Sequence, residues 1–322
     1  MTLHGIGLVA RMEVTTRLRT GRWKTLMAVW FVVVNGLGLL LRLAMGSDDT
    51  SSYGEPGVPM FGAVLLGVLV LTLLVTPALG GQSINGDRER GTLATLQVTR
   101  LAPGDIALGK LAAAWGSGLL TLLLTLPCVL WPVAEGAIGL GRAVVVLFVT
   151  ALLIGVVCAV SQAWSALLAR SITSVLMSYL TVFALLVGTP LLFGIGATLA
   201  AEHRDDGYGG YTDDRPDRVW WLLAPNPVVV LADAAPRLPE REYVVGDEVF
   251  TREPSNDPLG GISRAVRDSR HRDGRRGRDD GEGAVWPYGL AFNLALAAGA
   301  ISVTVIRLRT PLRRVPRGVR VA

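Results

Sequence analysis

Six long apolar blocks separate the polar segments of this chain, and they limit its fold more than any other feature. They lie near residues 25–41, 60–79, 111–133, 143–168, 172–199 and 285–306, and none contains Asp, Glu, Lys, Arg or His. A helix needs roughly 20 apolar residues to cross a hydrocarbon core. Half of all residues are hydrophobic, so the pattern predicts an all-α integral membrane protein with six transmembrane helices.

The distribution of positive charge predicts which ends of the spans face the cytoplasm. Residues 1–24 are basic with Glu13 as their single acid, and residues 307–322 carry six arginines and no acid. Because basic flanks stay on the cytoplasmic side, both termini of this multi-pass protein of the cell (plasma) membrane are expected there. Residues 1–24 are then a cytoplasmic interfacial segment, in which Arg11, Arg17 and Arg19 anchor to lipid more readily than they contact a partner protein.

This topology divides the chain into five parts. After residues 1–24 come spans one to five at 25–200, a large extracytoplasmic loop at 201–284, span six at 285–306 and a basic cytoplasmic tail at 307–322. Within the large loop, residues 264–282 are Arg, Asp and Gly with almost no apolar side chain, a composition that predicts disorder. The interspersed aspartates argue against a nucleic-acid site in this segment.

A second feature of the large loop is the apolar run at 219–231, which is too short to span a membrane and is interrupted by two prolines. We expect it to lie at or dip into the outer interface. Two readings stay open with equal weight: a gate over the exit of a path, and a small hydrophobic cluster packed on the outer ends of the spans.

A polar loop at 81–110 lies between the second and third spans and is expected in the cytoplasm. It is longer than a simple connection needs to be. Charged residues at its start are followed at helical spacing by apolar ones, and a proline and a lysine close it. These residues are Asp87, Arg88, Glu89, Arg90, Gly91, Thr92, Leu93, Leu96, Pro103 and Lys110. The pattern favours docking to another protein at the membrane surface.

Several chemistries are disfavoured by the residue inventory. Cys128 and Cys158 lie inside predicted spans and the three histidines are scattered outside them, so neither a metal site nor a catalytic dyad is predicted. Residues 104–110 fit a phosphate-binding loop up to position eight, where Leu111 replaces the required Ser or Thr. We therefore expect no enzyme activity and no cofactor bound by this chain.

The predicted spans hold only neutral polar groups, which disfavours ion coupling because coupled carriers usually keep an acid or a histidine inside the membrane. Asn35, Ser117, Thr121 and Asn293 are candidate path-lining residues. Hydrogen bonding between helices is the alternative, and the more common, role for the two asparagines. Two possibilities remain for this chain: a passive function, or a function driven by energy that a cytoplasmic partner delivers.

The run Glu89-Arg90-Gly91-Thr92-Leu93, followed by Leu96, Pro103 and Gly109-Lys110 at the start of span three, resembles the membrane-spanning permease subunit of an ATP-binding-cassette (ABC) exporter of the second bacterial type. This resemblance implies that the loop forms a coupling helix in a cleft of a separate ATPase, which binds ATP and magnesium. It also implies a second permease copy or a paralogue around a central path. The apolar run at 219–231, which we call the outer segment, would then be re-entrant. It contains Trp220, Trp221, Pro225, Asn226 and Pro227.

Roles follow for the coupling residues if the resemblance holds. Glu89 and Arg90 would form charge-assisted hydrogen bonds with the ATPase while Leu93 and Leu96 bury against it. Binding of Arg88 and Arg90 to anionic headgroups is the alternative. At the level of the whole chain, two other functions stay open: an ion-gradient-driven secondary carrier and a non-transporting membrane scaffold.

Overall fold

A computed structural model of the 322-residue chain provides the architecture. It describes residues 2–19, 21–46, 57–99, 101–204, 211–213, 215–238, 241–245, 248–252, 257–270 and 283–309. The tail beyond residue 309, to which the sequence analysis assigned a cytoplasmic location, lies outside these residues.

The first half of the chain is helical. Its helices are α1 (Leu3–Arg19), α2 (Gly21–Gly46), α3 (Gly57–Gly80), the short α4 (Asn85–Glu89) and α5 (Thr92–Val98), α6 (Pro103–Leu124), α7 (Leu126–Ala134) and α8 (Leu140–Leu167).

The second half contains α9 (Ser171–Phe183), a π-helical turn (Ala184–Gly188), α10 (Thr189–Leu199), 3-10 turns at Pro216–Arg218 and Trp220–Leu222, α11 (Pro227–Ala234), α12 (Pro258–Asp268) and α13 (Trp286–Arg309). Two antiparallel hairpins, which the sequence analysis did not predict, pair β1 (Glu202–Arg204) with β2 (Tyr211–Asp213) and β3 (Arg241–Val245) with β4 (Glu248–Arg252).

Six helical segments in the described part of the chain are long and apolar enough to cross a membrane: Trp23–Ala44, Gly57–Glu89, Pro103–Leu124, Leu140–Leu167, Ser171–Leu199 and Trp286–Arg309. This confirms the prediction of a multi-pass helical membrane protein at that level. The helical segments extend beyond the predicted apolar blocks and carry charged residues near their ends, among them Arg42, Asp87, Asp105, Lys110 and Arg142. The expectation that the spans are free of charge therefore holds for their centres alone.

The core is built around α8, which packs against α3, α6, α9 and α13. Phe61, Leu65 and Leu69 of α3 meet Leu153 and Ile154 of α8 in one buried apolar cluster. By contrast, the span segments containing α2, α9 and α13 bury only 22%, 17% and 22% of their most apolar windows. An apolar side chain exposed on such a helix matches a lipid environment, where no water is available to penalise it.

Helix α1 lies along the first half of α6 and runs in the same direction. Thr2 N donates to Asp105 Oδ1 at 2.9 Å near its start, and Arg17 Nη1 donates to Ser117 Oγ at 3.0 Å near its end. The sequence analysis assigned Arg17 to lipid; in the structure its guanidinium contacts α6.

Gly109 permits this close approach of α1 and α6. A β-carbon at position 109 would lie 2.6 Å from Val9 Cβ and 2.9 Å from Ile6 O, distances too short for any side chain there. The absence of a side chain thus lets the two backbones meet.

Residues 264–268 correct the disorder prediction for 264–282. They form the last turns of α12, whose Leu259, Ser263 and Val266 are buried. The apolar face at three- and four-residue spacing stabilises a helix that composition alone did not reveal. Ser269 and Arg270 follow α12 as a turn, and the other residues of that prediction, 271–282, lie outside the described part of the chain.

Candidate functional site

The polar loop at 81–110 folds into two short helices, α4 and α5, joined by a tight turn. Gly91 forms the turn with a φ of 72°, a left-handed conformation that glycine adopts without steric strain. Arg90, Thr92 and Gln97 are exposed on this pair of helices. We call residues 85–98, which include α4, the turn and α5, the tip.

A largely buried ionic cluster on the underside of the tip consists of Glu13, Asp87 and Lys110, and the exposed Arg90 contacts it from outside. The Lys110 side chain is 1% exposed and its ammonium contacts carboxylate oxygens of both Glu13 in α1 and Asp87 in α4. Arg90 Nη2 donates to Asp87 Oδ1 at 2.9 Å from a side chain that is 69% exposed. The cluster therefore joins α1, α4 and α6 through charged groups.

The energetics of such a cluster are asymmetric. Removing one partner of a buried ion pair leaves an uncompensated charge and costs about 3–5 kcal/mol, although replacing the whole pair by apolar residues is often neutral. Lys110 is the central cation between two carboxylates. It therefore fixes the position of the tip relative to α1 and α6.

Glu89, expected to bind a partner, makes its observed contacts within the chain. Its Oε1 accepts hydrogen bonds from Ser171 Oγ at 2.7 Å and Ser171 N at 3.2 Å. A carboxylate at a helix N-terminus is stabilised by the unpaired N–H groups and the helix dipole. Glu89 thus holds the tip to the start of α9.

Three further contacts attach the tip to other helices. Ser165 Oγ of α8 accepts from Asn85 N at 3.0 Å. Arg88 Nη1 donates to Leu168 O, just after α8, at 3.3 Å. Gln97 Nε2 donates to Leu308 O of α13 at 3.2 Å. The underside of the tip is therefore bonded to α8 and α13 as well as to α6 and α9, and through Lys110 it is connected to α1.

Leu93 packs inside the chain, where it is 7% exposed in a cluster with Ile84, Ile106 and Leu308. Leu96 is only partly buried against that cluster. Of the two leucines, Leu96 is the one that keeps exposed apolar surface, and its contact with an ATPase stays a prediction. Pro103 begins α6 and its fixed φ suits that first position.

Asn35, a candidate path residue, bridges the break between α6 and α7. Its Nδ2 donates to Leu124 O at 3.0 Å and its Oδ1 accepts from Cys128 N at 3.2 Å. These are the two backbone groups that would bond to each other in an unbroken helix. The side-chain amide therefore replaces one hydrogen bond of the helix, a recognised cause of a kink.

The other three candidate path residues are buried and hydrogen-bonded. Ser117 and Thr121 donate back to carbonyls of their own helix, to Ala113 O and Gly118 O. Asn293 Nδ2 donates to Pro225 O at 3.0 Å, joining α13 to the outer segment. Asn35 thus makes the interhelical bonds that the sequence analysis named as its alternative role, whereas Asn293 bonds to a turn before α11 and to Gly289 O of its own helix.

Asn226 ties the outer segment to the π-helical turn. Pro190 lacks the N–H that would bond to Leu186 O in a regular helix, and Asn226 Nδ2 donates to that carbonyl at 3.0 Å and to Thr189 Oγ1 at 2.9 Å. Its Oδ1 accepts from Val228 N at 2.8 Å and so caps α11, which begins at Pro227.

The two tryptophans of this segment differ in exposure. Trp220 packs edge-on against Tyr288 of α13 at 5.4 Å, and the Arg270 guanidinium lies 4.5 Å from its ring centre. Trp221 is 58% exposed. Nearby, two hydrogen bonds from Arg215 hold the pKa of the Asp217 carboxyl below its ordinary value.

The sequence analysis missed Asp233, which connects α11, α12 and α13. Its buried carboxylate accepts from Ser263 Oγ at 2.9 Å, Arg267 Nε at 2.6 Å, Val285 N at 2.7 Å and Trp286 N at 2.8 Å. One acid within an apolar helical run was the available signal, because such an acid is rarely buried without partners. Glu13 was missed because it was counted only as an exception in a basic segment.

No group of three or more potential ligands from His, Cys, Asp and Glu is placed to hold a metal ion in the part of the chain that the structure describes. Comparison with known proteins adds no identification, since no family model and no curated protein matches this chain.

Proposed function

We propose that this protein is the permease subunit of an ATP-driven exporter and that the tip is its coupling element. One observation carries the proposal: the exposed tip is bonded on its underside to four helices, α6, α8, α9 and α13, and through Lys110 of α6 it is connected to α1. A surface with that many rigid attachments is suited to pass a displacement at its outer side into the helices of the membrane domain.

The exposed side of the tip gives the partner its contacts. Arg90 is 69% exposed, and Thr92 is exposed beside it. Leu93 and Glu89 are engaged within the chain, so the polar side chains of Arg90 and Thr92 supply the contacts proposed here. The expected partner is an ABC ATPase that supplies the ATP and magnesium site, with a second permease copy or paralogue completing the path by symmetry.

The arrangement also supports an orientation. The tip follows α3, and the charge pattern assigns the tip and both termini to the cytoplasm. Residues 201–284, including the outer segment held by Asn226 and Asn293, then face outward. That segment joins α13 to the π-helical turn between α9 and α10, which suits a gate that responds to relative motion of these helices.

The test is purification of the affinity-tagged chain from its native membranes. We expect a polypeptide with a Walker nucleotide-binding motif in stoichiometric amount, together with ATP hydrolysis. Arg90→Glu should lower its recovery at least tenfold, since reversing an interface charge costs several kcal/mol, about 1.4 kcal/mol for each tenfold. Arg218→Glu, an exposed arginine near the outer segment, is the matched control and should leave recovery unchanged.

Two results would contradict the proposal. One is a purified wild-type chain that brings no nucleotide-binding polypeptide with it. The other is transport by the chain alone in liposomes under an ion gradient, which is the behaviour of a secondary carrier. A scaffold protein would show neither ATPase recovery nor transport.

A further inference from the structure

The hairpin of β3 and β4 lies between α11 and α12 and forms a two-stranded sheet. Its register pairs Tyr243 with Phe250 in the middle and Val245 with Glu248 at one end. Among the described residues, each of the two strands packs mainly against the other. An isolated two-stranded hairpin is marginally stable in water, whereas three or more strands can be stable independently. The hairpin is therefore suited to gain stability from a further strand.

Both strands of this hairpin have a free edge, because neither pairs with a third strand in the described part of the chain. Every second residue of an antiparallel strand directs its N–H and C=O groups away from the strand with which it is already paired. A free edge of this kind is a template for another strand. Strand addition is thus open to the hairpin, and the sequences of β3 and β4 decide which strand fits.

The sequence of β4 is complementary to itself in the antiparallel direction. It reads Glu-Val-Phe-Thr-Arg over residues 248–252, with opposite charges at its two ends and an aromatic residue at its centre. Antiparallel pairing of two copies about Phe250 places Glu248 of each copy directly opposite Arg252 of the other. Val249 then lies opposite Thr251, so all five residues of the strand are paired. Opposite charges at directly opposed positions stabilise a pair of strands.

The sequence of β3 lacks this complementarity. It reads Arg-Glu-Tyr-Val-Val over residues 241–245. Antiparallel pairing of two copies about Tyr243 would oppose Arg241 to Val245 and Glu242 to Val244. Both charged residues would then face apolar ones. Of the two free edges, that of β4 is the one that matches a second copy.

The register of the hairpin supplies a second argument. Arg241 lies directly opposite Arg252, and like charges at opposed positions disfavour strand pairing. Within the hairpin, this register gives neither arginine an opposing acid. A second copy places its own Glu248 beside Arg252 on the free edge. The centre gains as well, because the row formed by Tyr243 and Phe250 continues into the same two residues of the second copy, and aromatic cross-strand pairs are favourable.

From these observations we propose that β4 is a docking edge for β4 of a second copy of this chain. The two hairpins then form one four-stranded antiparallel sheet around a two-fold axis at Phe250. The inference rests on the proposed function in one respect, since it makes the second permease a copy of this chain rather than a paralogue. The pairing itself requires neither ATP nor an ATPase. Its test can therefore fail while the coupling role of the tip stands, and the reverse.

Oxidative cross-linking of the full-length protein in its native membranes tests the pairing. In Phe250→Cys the two thiols belong to directly opposed residues, whose Cα atoms are about 4.5–5.5 Å apart, within the range that a disulfide spans. We expect a cross-linked dimer on a non-reducing gel. Wild type, whose Cys128 and Cys158 are buried, should give none.

Tyr243→Cys is the matched control for this experiment. Position 243 is directly paired with position 250 in the hairpin and therefore lies on the same face of the sheet. It is on the outer strand, however, and three strand spacings separate it from its counterpart by about 14 Å. This variant should give at least about tenfold less dimer than Phe250→Cys, since a disulfide cannot span that distance.

A charge exchange in the Phe250→Cys background tests the register. Glu248→Arg should lower the dimer yield about tenfold, because two like-charge contacts replace two opposite-charge ones, and Arg252→Glu should do the same. The two substitutions together restore the opposed charges, so the yield should recover.

Three results would overturn the proposal. One is a folded Phe250→Cys protein that gives no more dimer than Tyr243→Cys. Another is a charge-exchanged protein, with both substitutions, that gives no more dimer than either single variant. The third is a disulfide from Cys at position 250 to a polypeptide other than this chain, which would identify a paralogue or an unrelated partner at this edge.

Discussion

Replacing Lys110 by Met tests how strongly the ionic cluster holds the tip to the rest of the protein. Met preserves the length and most of the volume of the side chain and removes its charge. Lys110 is 1% exposed, and its partners Asp87 and Glu13 are 10% and 20% exposed. Little water can therefore replace the ammonium when it is removed.

The expected magnitude follows from this burial. Lys110→Met leaves two carboxylates close together, and among the described residues only the mostly exposed Arg90 contacts one of them. Breaking a buried pair in this way costs about 3–5 kcal/mol. Neutralising the carboxylates as well, with Asp87→Asn and Glu13→Gln, removes the uncompensated charges and should bring stability to within about 2 kcal/mol of wild type.

The assay is equilibrium unfolding of the purified protein in mixed micelles with increasing sodium dodecyl sulfate, followed by helical circular dichroism. Arg90→Gln is the matched control, because an exposed ion pair contributes at most about 1 kcal/mol. A loss below about 1 kcal/mol in Lys110→Met would refute the reasoning. So would a triple variant that is no more stable than Lys110→Met alone.

Three further predictions concern the contacts of Asn226, the contacts of Glu89 and the orientation of the chain in the membrane. Asn226→Ala should destabilise the protein by about 2–3 kcal/mol in the same assay, because it removes a helix cap and leaves Leu186 O unsatisfied. Asn226→Asp keeps the cap acceptor and should lose less stability; equal stability of wild type and both variants would count against both contacts. Glu89→Ala should cost about 1 kcal/mol through loss of the α9 cap, whereas Glu89→Gln should recover part of it; a silent Glu89→Ala would mean that the carboxylate is solvated. Cysteine at Arg218 should react with an impermeant thiol reagent on intact cells while cysteine at Thr92 should not, and the opposite labelling pattern would reverse the orientation.

The sequence alone determined the class of the protein and the approximate positions of its six spans. Hydropathy is a property of each segment by itself, since every stretch of about 20 residues in hydrocarbon must be apolar whatever its neighbours are. The same local reasoning located the polar loop that becomes α4 and α5 and the short apolar segment that becomes α11. It also indicated that Asn35 was suited to bonds between helices.

Only the tertiary structure decided which charged groups meet. Glu13 and Lys110 are 97 positions apart, and Arg142 and Asp257 are 115 apart, so no periodicity in the sequence relates them. Their pairing depends on which faces of the helices pack together and on close approaches such as that permitted by Gly109. For the same reason the sequence assigned Leu93 to a partner protein, whereas the fold buries it within the chain. Burial of a charge or an apolar group near a membrane boundary is a property of the packed helices and not of the segment that carries it.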